Sequence, residues 1–182
     1  MALLKEKLYT TDDIYALPDG KRAELFDGQL YDMAPPNFLH QKLVLQLSVK
    51  IANYIDAKGG ECEVMPAPFA VFLNKDNRTY VEPDVSIICD KSKLDDYGCN
   101  GAPDWVIEIT SPSDPSRDYG IKLFKYRSAG VREYWIVNPQ KHTITVFDFE
   151  KDQNSNQYNW EDDIPVCIYS DLTINIAKLL NR

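Results

Sequence analysis

The sequence predicts an α/β (α+β) domain in which a central mixed β-sheet is flanked by helices, with an N-terminal β-hairpin. Three observations lead to this prediction: a long amphipathic helical pattern, short strand-like runs after it, and a second helical pattern followed by a strand pair. Sheets covered by helices are a common way to bury apolar residues on both faces. The length of 182 residues suits one domain, and we expect a single domain over 1–182.

The N-terminal part is predicted to contain a short helix and a hairpin. The Thr and Asp residues at 10–13 offer an N-cap for a helix that runs toward Pro18. Strand-like runs at 22–26 and 29–33 then flank Asp27-Gly28. Because glycine adopts positive φ without strain, this arrangement predicts a two-residue hairpin turn.

The best-defined helix is predicted over Phe38–Ala57, ending before Gly59-Gly60. Its apolar stripe recurs every four residues, at Leu39, Leu43, Leu47, Ile51 and Ile55. Beyond this helix the pattern changes to short runs of strand-forming residues, at 61–65, 69–73, 84–89 and 105–110.

A second helix is predicted between Asp114, which suits the N-cap with Pro115 at the first helical position, and Gly130 at the far end. The remaining predicted elements are a buried strand at 133–137, its hairpin partner at 143–149, a polar loop at 152–158 and a short terminal helix at 172–180. Tyr134 and Trp135 are predicted to be core aromatics.

The cysteines and the apolar runs indicate the cellular compartment of the protein. Cys62, Cys89, Cys99 and Cys167 form no C-x-x-C pair, which zinc and redox motifs need, so we expect free, mostly packed thiols. The apolar runs are far shorter than the roughly 20 residues that span a bilayer. The N-terminus becomes charged at Lys5, too early for a secretory leader. We therefore expect a cytoplasmic protein without contact to a membrane.

The net charge of −8 bears on the partner. DNA binding relies on Lys and Arg to neutralise phosphates, and an acidic chain opposes it as a whole. A local basic patch or bound cations can still permit it. The net charge therefore argues against a nuclease function but does not exclude it.

Two carboxylates occupy unusual places in the predicted strands. Glu108 interrupts the apolar run 105–110, and a buried carboxylate needs a cation, hydrogen-bond donors or a raised pKa. Asp84 follows Pro83 at the start of another strand. If these strands are antiparallel neighbours, Asp84 and Glu108 meet at one edge of the sheet. Their oxygens, completed by backbone carbonyls and water, suit Mg²⁺ or Mn²⁺.

Structural roles remain as alternatives for these residues. Glu108 can pair with a nearby lysine or arginine, or lie on an edge strand with its face in water. Asp84 can cap a turn. His40 lies beside the apolar stripe of the long helix. A histidine in such a position is more often a hydrogen-bonded core residue than a ligand.

A family resemblance emerges from the spacing of these residues. Pro83-Asp84, followed 24 positions later (108 − 84) by Glu108-x-Thr110, resembles the PD-(D/E)-x-K phosphodiesterase signature. A longer pattern, covering about 24–139, is similar to the Uma-type family of restriction-endonuclease-like proteins. Its residues are Glu24-Leu-Phe-Asp27-Gly28, His40, Pro83-Asp84-Val85, Glu108-Ile-Thr-Ser111-Pro112-Ser113, Asp118, Lys122, Tyr126 and Gly130-Val131-x-Glu133-Tyr134-Trp135.

The resemblance implies a restriction-endonuclease-like fold and a metal-dependent endonuclease that hydrolyses DNA phosphodiester bonds. It implies Mg²⁺ or Mn²⁺ held by Asp84, Glu108 and the carbonyl of Ile109, with Asp84 and Glu108 as catalytic residues. Glu24 and His40 are further catalytic candidates. In many proteins of this fold a glutamate from the first helix joins the site, whereas Glu24 here lies on the first arm of the predicted hairpin.

The lysine of the signature is the one departure. Its usual position is Thr110 here, and in the Uma-type pattern the following helix supplies the lysine instead, at the position that Lys122 matches. The resemblance thus implies that Lys122 is catalytic. Asp118, Lys122 and Tyr126 follow one another at i+4 on one helix face. The alternative for Lys122 is a solvated lysine paired with Asp118.

Two other functions stay open beside the nuclease. One is a catalytically silent nuclease fold that binds a partner, which an acidic surround of Asp84 would favour and a basic groove would oppose. The other is a hydrolase of a small phosphate ester, which a narrow pocket closed to duplex DNA would favour. The family likeness further implies a homodimer, since duplex DNA has approximate two-fold symmetry.

Overall fold

The protein's structure, a computed structural model, describes residues 7–111, 116–151 and 155–181. The α-helices are α1 (Thr11–Tyr15), α2 (Phe38–Ala57), α3 (Leu123–Ala129) and α4 (Ile176–Leu180). The strands are β1 (Ala23–Phe26), β2 (Gln29–Asp32), β3 (Glu63–Pro66), β4 (Val71–Phe72), β5 (Val85–Ile88), β6 (Leu94–Asp95), β7 (Gly98–Asn100), β8 (Trp105–Ile109), β9 (Glu133–Asn138), β10 (Thr143–Asp148), β11 (Asn156–Asn159), β12 (Ile164–Pro165) and β13 (Thr173–Ile174). A 3₁₀ turn covers Lys91–Lys93, and a π-helical turn covers Asp118–Lys122.

A mixed sheet lies at the centre of the fold. Within the described ranges its strand order is β11-β10-β9-β8-β5-β3. β8 and β9 run parallel, and the other neighbours are antiparallel. The parallel pair is connected through α3, as parallel neighbours need a long crossover that usually contains a helix. The predicted mixed sheet between helices is confirmed.

Both faces of the central strands are buried. Side chains alternate between the faces of a strand, so Trp105 and Ile107 of β8 pack with α2, whereas Val106 packs with Tyr126 of α3. Every residue of β5, β8 and β9 is buried. Glu108 lies in β8 on the face of α3, inside a core that contains Tyr134.

The long helix α2 has the bounds that its sequence pattern predicts. Leu43, Leu47 and Ile51 of its apolar stripe are fully buried against the sheet. The Asn37 side chain caps the helix by accepting the backbone N–H of His40 at 2.9 Å, which holds the first turn in place. None of the described helices, α2 included, combines the length and the apolar composition needed to span a bilayer.

The N-terminal helix and hairpin also agree with their predictions. Thr10 caps α1 in a capping box with Asp13. At the hairpin turn Asp27 and Gly28 have φ of 50° and 84°, the positive values that a two-residue turn of this kind requires. A bridge between Leu25 and Tyr80 attaches β1 to the body of the protein.

The second predicted helix is less regular than expected. Its proposed N-cap residues, Asp114 and Pro115, lie outside the described residues. The turn Asp118–Lys122 is π-helical, and α3 continues from it to Gly130, whose φ of 96° ends the helix as predicted. Short π-helical turns inside helices are rare and occur often at functional sites.

Two predictions for the C-terminal part need correction. Of the predicted loop 152–158, residues 152–154 are not described, but Asn156–Asn159 forms the edge strand β11. An edge strand leaves most side chains in water, so its polar sequence does not prevent pairing. The terminal helix begins only at Ile176, because Thr173–Ile174 pairs with β12 and Asn175 supplies the helix cap.

The expectation of free thiols is wrong for two of the cysteines. Cys62 and Cys89 form a disulfide, with their Cα atoms 3.9 Å apart. The antiparallel register of β3 and β5 pairs Glu63 with Ile88, which places the two cysteines opposite each other at the end of these strands. Cys99 and Cys167 are free, and Cys99 is buried.

Candidate active site

The sheet edge brings together the two carboxylates singled out in the sequence. In the antiparallel register of β5 and β8, Val85 pairs with Ile107, so Asp84 lies opposite Glu108. The backbone N–H of Ile109 donates to Asp84 Oδ2 at 2.7 Å. This hydrogen bond fixes the Asp84 carboxylate against the end of β8.

Lys122 lies in the middle of a carboxylate cluster. Its Nζ is 2.9 Å from Glu108 Oε1, 3.0 Å from Glu24 Oε2 and 3.8 Å from Asp118 Oδ1. The residue is 5% exposed, so the alternative of a solvated surface lysine is wrong. The π-helical turn carries both Asp118 and Lys122 toward β8.

Glu24 reaches this cluster from the hairpin. It is buried in β1, and its Oε1 accepts the backbone N–H of Glu82 at 3.2 Å while Oε2 faces Lys122. The bridge of Leu25 to Tyr80 holds β1 beside this segment. A glutamate that precedes α2 in sequence therefore occupies the site together with Glu108.

His40 contacts the site from the first turn of α2. Its Nε2 lies 3.2 Å from Asp84 Oδ2, and its buried Nδ1 has no hydrogen-bond partner among the described residues. Burial lowers the pKa of His40, but the hydrogen bond and charge of Asp84, with a hydrogen bond to the backbone of Ile109, outweigh it and raise the pKa. His40 is thus a partner of the Asp84 carboxylate.

The sequence indicated no specific partner for several other side chains at the site. Tyr126 belongs to the family pattern and to the helix face of Lys122, and its hydroxyl donates to Glu108 Oε1. Glu82 accepts from Arg22 Nε at 2.9 Å and from the Tyr80 hydroxyl at 2.7 Å. Arg22 comes from a segment 60 residues away, so no spacing pattern connects it with Glu82.

Negative charge dominates the electrostatics of the cluster. Burial raises the pKa of the Glu108 carboxyl well above its ordinary range, and the ammonium of Lys122 only partly offsets this. Burial likewise raises the pKa of Asp118, to about 6. Burial alone would lower the pKa of Lys122, but Glu108 and the other carboxylates raise it above its usual value, so Lys122 is charged. A further cation would relieve the excess of carboxylates.

A cavity of about 460 Å³ opens above these residues. The ionisable residues that line it are Arg22, Glu24, Asp32, His40, Glu82, Asp84, Glu108, Arg117, Asp118 and Lys122. Carboxylates outnumber the arginines and lysine of this described lining, so the surround of Asp84 is acidic. One part of the rim is apolar and is formed by Met33–Pro36 and Ala67-Pro68.

The donor set fits a hard divalent cation. Among the described residues, hydrogen bonds and ion pairs reach Oε1 of Glu108 and Oδ2 of Asp84, and none reaches Oε2 or Oδ1. Both residues line the cavity, and carboxylate oxygens are the ligands that Mg²⁺ and Mn²⁺ prefer. In the part of the chain that the structure describes, no three His, Cys, Asp or Glu side chains are grouped to hold a metal. A metal bound here would therefore need these two carboxylates, a backbone carbonyl such as that of Ile109, and water as ligands.

Comparisons with known proteins agree with this fold. Residues 11–177 match the model of a protein family described as "Uma2: Putative restriction endonuclease". The chain is 30% identical over 129 residues to "Uncharacterized protein slr1290" of Synechocystis sp.; the match covers 70% of this chain and 66% of that protein, just under two thirds. A crystal structure of "a putative nuclease belonging to DUF820" from Anabaena variabilis superposes with a TM-score of 0.76 at 18% identity, over 94% of this chain and 97% of that chain. The predicted fold class is confirmed.

Proposed function

Since the chain belongs to the Uma2 family, described as "Putative restriction endonuclease", we propose that it is a metal-dependent endonuclease that hydrolyses phosphodiester bonds in DNA. Family membership and fold support a nuclease-like function in general. The observation that carries the specific proposal is a buried, charged Lys122 beside Glu108, with Asp84 opposite Glu108, at a sheet edge that opens into a cavity. A cation and a pair of carboxylates at one point suit the hydrolysis of a phosphate diester.

Asp84, Glu108 and the carbonyl of Ile109 are the proposed ligands of Mg²⁺ or Mn²⁺. When bound, such an ion polarises a phosphate oxygen and lowers the pKa of a bound water. The backbone N–H of Ile109 orients Asp84 by holding Oδ2, which leaves Oδ1 for the cavity. Lys122 orients Glu108 by holding Oε1, which leaves Oε2 for the cavity.

Lys122 and His40 have proposed roles of their own. The charged ammonium of Lys122 stabilises negative charge that develops on the phosphate, and Glu24 and Asp118 keep it in place. His40 orients the Asp84 carboxylate, since its Nε2 lies 3.2 Å from Asp84 Oδ2. In a cavity that excludes part of the bulk water, such charges act more strongly than in solution.

The test is cleavage of supercoiled plasmid DNA with Mg²⁺ or Mn²⁺ by wild type, Asp84→Asn and Asp104→Asn. Asp104 is a matched control because it precedes β8 as Asp84 precedes β5. Its Oδ2 accepts the backbone N–H of Cys89 at 2.8 Å, the counterpart of the 2.7 Å bond from Ile109 to Asp84. Asp104 lies at the other end of the strand pair, beside Arg132.

We expect Asp84→Asn to lower the cleavage rate by about two orders of magnitude or more, the usual effect of removing an electrostatic group that acts on the reacting phosphate. Asp104→Asn should cleave at close to the wild-type rate. Equal cleavage by wild type and Asp84→Asn would exclude the assigned site.

A catalytically silent binding protein is the second candidate function. The acidic lining of the cavity favours it, because phosphates of DNA are repelled by an excess of carboxylates. Isothermal titration with Mn²⁺ distinguishes the two candidates. Binding that is lost in Asp84→Asn supports the nuclease, whereas no binding to wild type supports the silent protein.

A homodimer and a cytoplasmic location remain predictions from the sequence. Light scattering during size-exclusion chromatography tests the first, since the chain mass is 20.9 kDa and a dimer has twice this value. A monomer at micromolar concentration, with and without DNA, would exclude the dimer.

A further inference from the structure

The two oxygens of the Glu108 carboxylate have different surroundings. Oε1 accepts from Lys122 Nζ at 2.9 Å and from the hydroxyl of Tyr126. No described residue donates to Oε2, and Glu108 lines the cavity. One oxygen is thus held from inside the protein, and the other is left for a ligand of the site.

Tyr126 is well placed to hold Oε1. It is fully buried in α3, and its ring packs edge-on against Tyr134 with 5.0 Å between centroids. The Tyr126 hydroxyl is the donor in this hydrogen bond, since a carboxylate oxygen only accepts. Among the described residues, no hydrogen bond joins Tyr126 to Asp84.

We propose that Tyr126 is a positioning residue whose hydroxyl, together with Lys122, holds Oε1 of Glu108 so that only Oε2 is offered to the divalent cation. This inference rests on the proposed function, since it concerns the same metal. The terminal torsion of a glutamate is soft, so a carboxylate held through one donor turns more freely than one held through two. Groups that orient a ligand in this way typically contribute 10- to 100-fold to metal affinity.

The test compares Mn²⁺ affinity by isothermal titration for wild type, Tyr126→Phe and Tyr80→Phe, each as the full chain. Tyr80 is the matched control, because its buried hydroxyl donates to a buried carboxylate, that of Glu82, at 2.7 Å. Glu82 is not among the proposed ligands. We expect Tyr126→Phe to weaken Mn²⁺ binding about tenfold or more and Tyr80→Phe to leave it near the wild-type value.

A second measurement needs no substitution and so does not depend on the folding of a variant. In crystals of wild type grown with Mn²⁺, Glu108 should ligate the ion through Oε2 alone, with the Tyr126 hydroxyl on Oε1. Ligation through both oxygens, or wild-type Mn²⁺ affinity in a folded Tyr126→Phe, would overturn this inference and leave the proposed function standing. Absence of Mn²⁺ binding to wild type would instead overturn both.

Discussion

At the scale of single residues, the main feature is a buried cation among carboxylates. Lys122 is 5% exposed and lies within 4 Å of Glu24, Glu108 and Asp118. A buried ion pair is a weak source of net stability, but removing one partner leaves an uncompensated buried charge. The cluster is therefore sensitive to the loss of Lys122 in a way that exposed ion pairs are not.

Lys122→Met tests this sensitivity. We expect it to lower the free energy of unfolding at pH 7.5 by about 3 kcal/mol or more, since Glu24 and Glu108 lose their buried cation. Lys178→Met is the control; it removes an exposed pair with Asp163, for which we expect a much smaller loss because solvent screens exposed charges. Urea unfolding curves measure both values. Equal losses in the two variants would show that Lys122 is not held as a buried charge.

Asp118→Asn tests the raised pKa of this carboxyl. A carboxyl whose pKa rises on folding, here from an ordinary 3.8 to about 6, binds its proton more tightly when folded, so it stabilises the fold below pH 3.8. That contribution is lost as pH rises through 6. Asn stays neutral, so Asp118→Asn should gain stability relative to wild type between pH 4 and pH 7. The gain is on the order of 2 kcal/mol, since a tenfold change in proton affinity is worth about 1.4 kcal/mol.

Urea unfolding of both proteins across this pH range provides the measurement. A stability difference that stays constant between pH 4 and pH 7 would show that Asp118 has an ordinary pKa in the folded protein. Adding Mn²⁺ at pH 7 should reduce the advantage of Asp118→Asn, because a cation at the neighbouring carboxylates favours the ionised form of Asp118.

At the scale of elements, the small sheet formed by β4, β7 and β6 depends on a glycine. Gly98 in β7 has φ of 144°, and a Cβ at this position would lie 2.3 Å from the carbonyl oxygen of Ala70. Cys99 donates its backbone N–H to that same oxygen at 2.9 Å. The close approach of β7 to this backbone requires a residue without a side chain.

Gly98→Ala should therefore be strongly destabilising, by about 3 kcal/mol or more, because backbone strain and a backbone clash add. Gly20→Ala is the control, since Gly20 also has positive φ, 79°, but its Cβ would meet nothing within 4 Å. Its expected cost is only that of the left-handed conformation, about 1 kcal/mol. Thermal unfolding distinguishes the two, and similar losses would show that β7 can move away from Ala70.

The turn that carries Lys122 shows how an element can depart from its sequence pattern. The i+4 spacing of Asp118, Lys122 and Tyr126 predicts regular α-helix, yet the turn is π-helical up to Lys122. The hydroxyl of Tyr134 donates to the backbone carbonyl of Asp118 at 3.1 Å, so a side chain of the core satisfies this group. Lys122 and Tyr126 both still reach Glu108.

At the scale of the whole molecule, acidic side chains outnumber basic ones, and several lysines and arginines of the described residues form ion pairs with carboxylates. The pairs outside the site are Lys58–Asp171, Lys91–Glu63, Lys125–Asp27, Arg132–Asp104, Arg132–Glu150, Lys151–Asp148 and Lys178–Asp163. With a net charge of −8, the chain as a whole does not attract phosphates. If the chain acts on DNA as proposed, we expect its binding to depend on divalent cations more than on lysines and arginines.

The affinity of the chain for a fluorescent DNA duplex with a phosphorothioate backbone tests whether DNA binding depends on divalent cations. We expect weak binding without Mg²⁺, stronger binding with it, and less than about a tenfold loss of affinity between 50 and 200 mM salt. Proteins that contact 6–10 phosphates lose about 10³- to 10⁵-fold over this range. Fluorescence anisotropy gives the affinities, and a loss of that larger size would indicate an extensive basic surface.

The sequence by itself determined the elements whose pattern is local. The bounds of α2 follow from its apolar repeat, the hairpin from Asp27-Gly28, and the buried strands β5 and β8 from their apolar runs. It also singled out Glu108, because a carboxylate inside an apolar strand is unusual, and Asp84, because it follows Pro83 where a strand begins. Periodicity and turn chemistry act between residues a few positions apart, so a single chain displays them directly.

Only the tertiary structure decided which distant segments meet. The pairing of β3 with β5 brings Cys62 to Cys89, and the hairpin brings Glu24 to Lys122. Polar Asn156–Asn159 becomes a strand because β10 offers it an edge. Such contacts depend on the packing of the whole chain, since the free energy that favours them comes from surface buried between segments remote in sequence. The individual residues of the candidate site could thus be identified from the sequence. That they lie together at one place is decided by the fold.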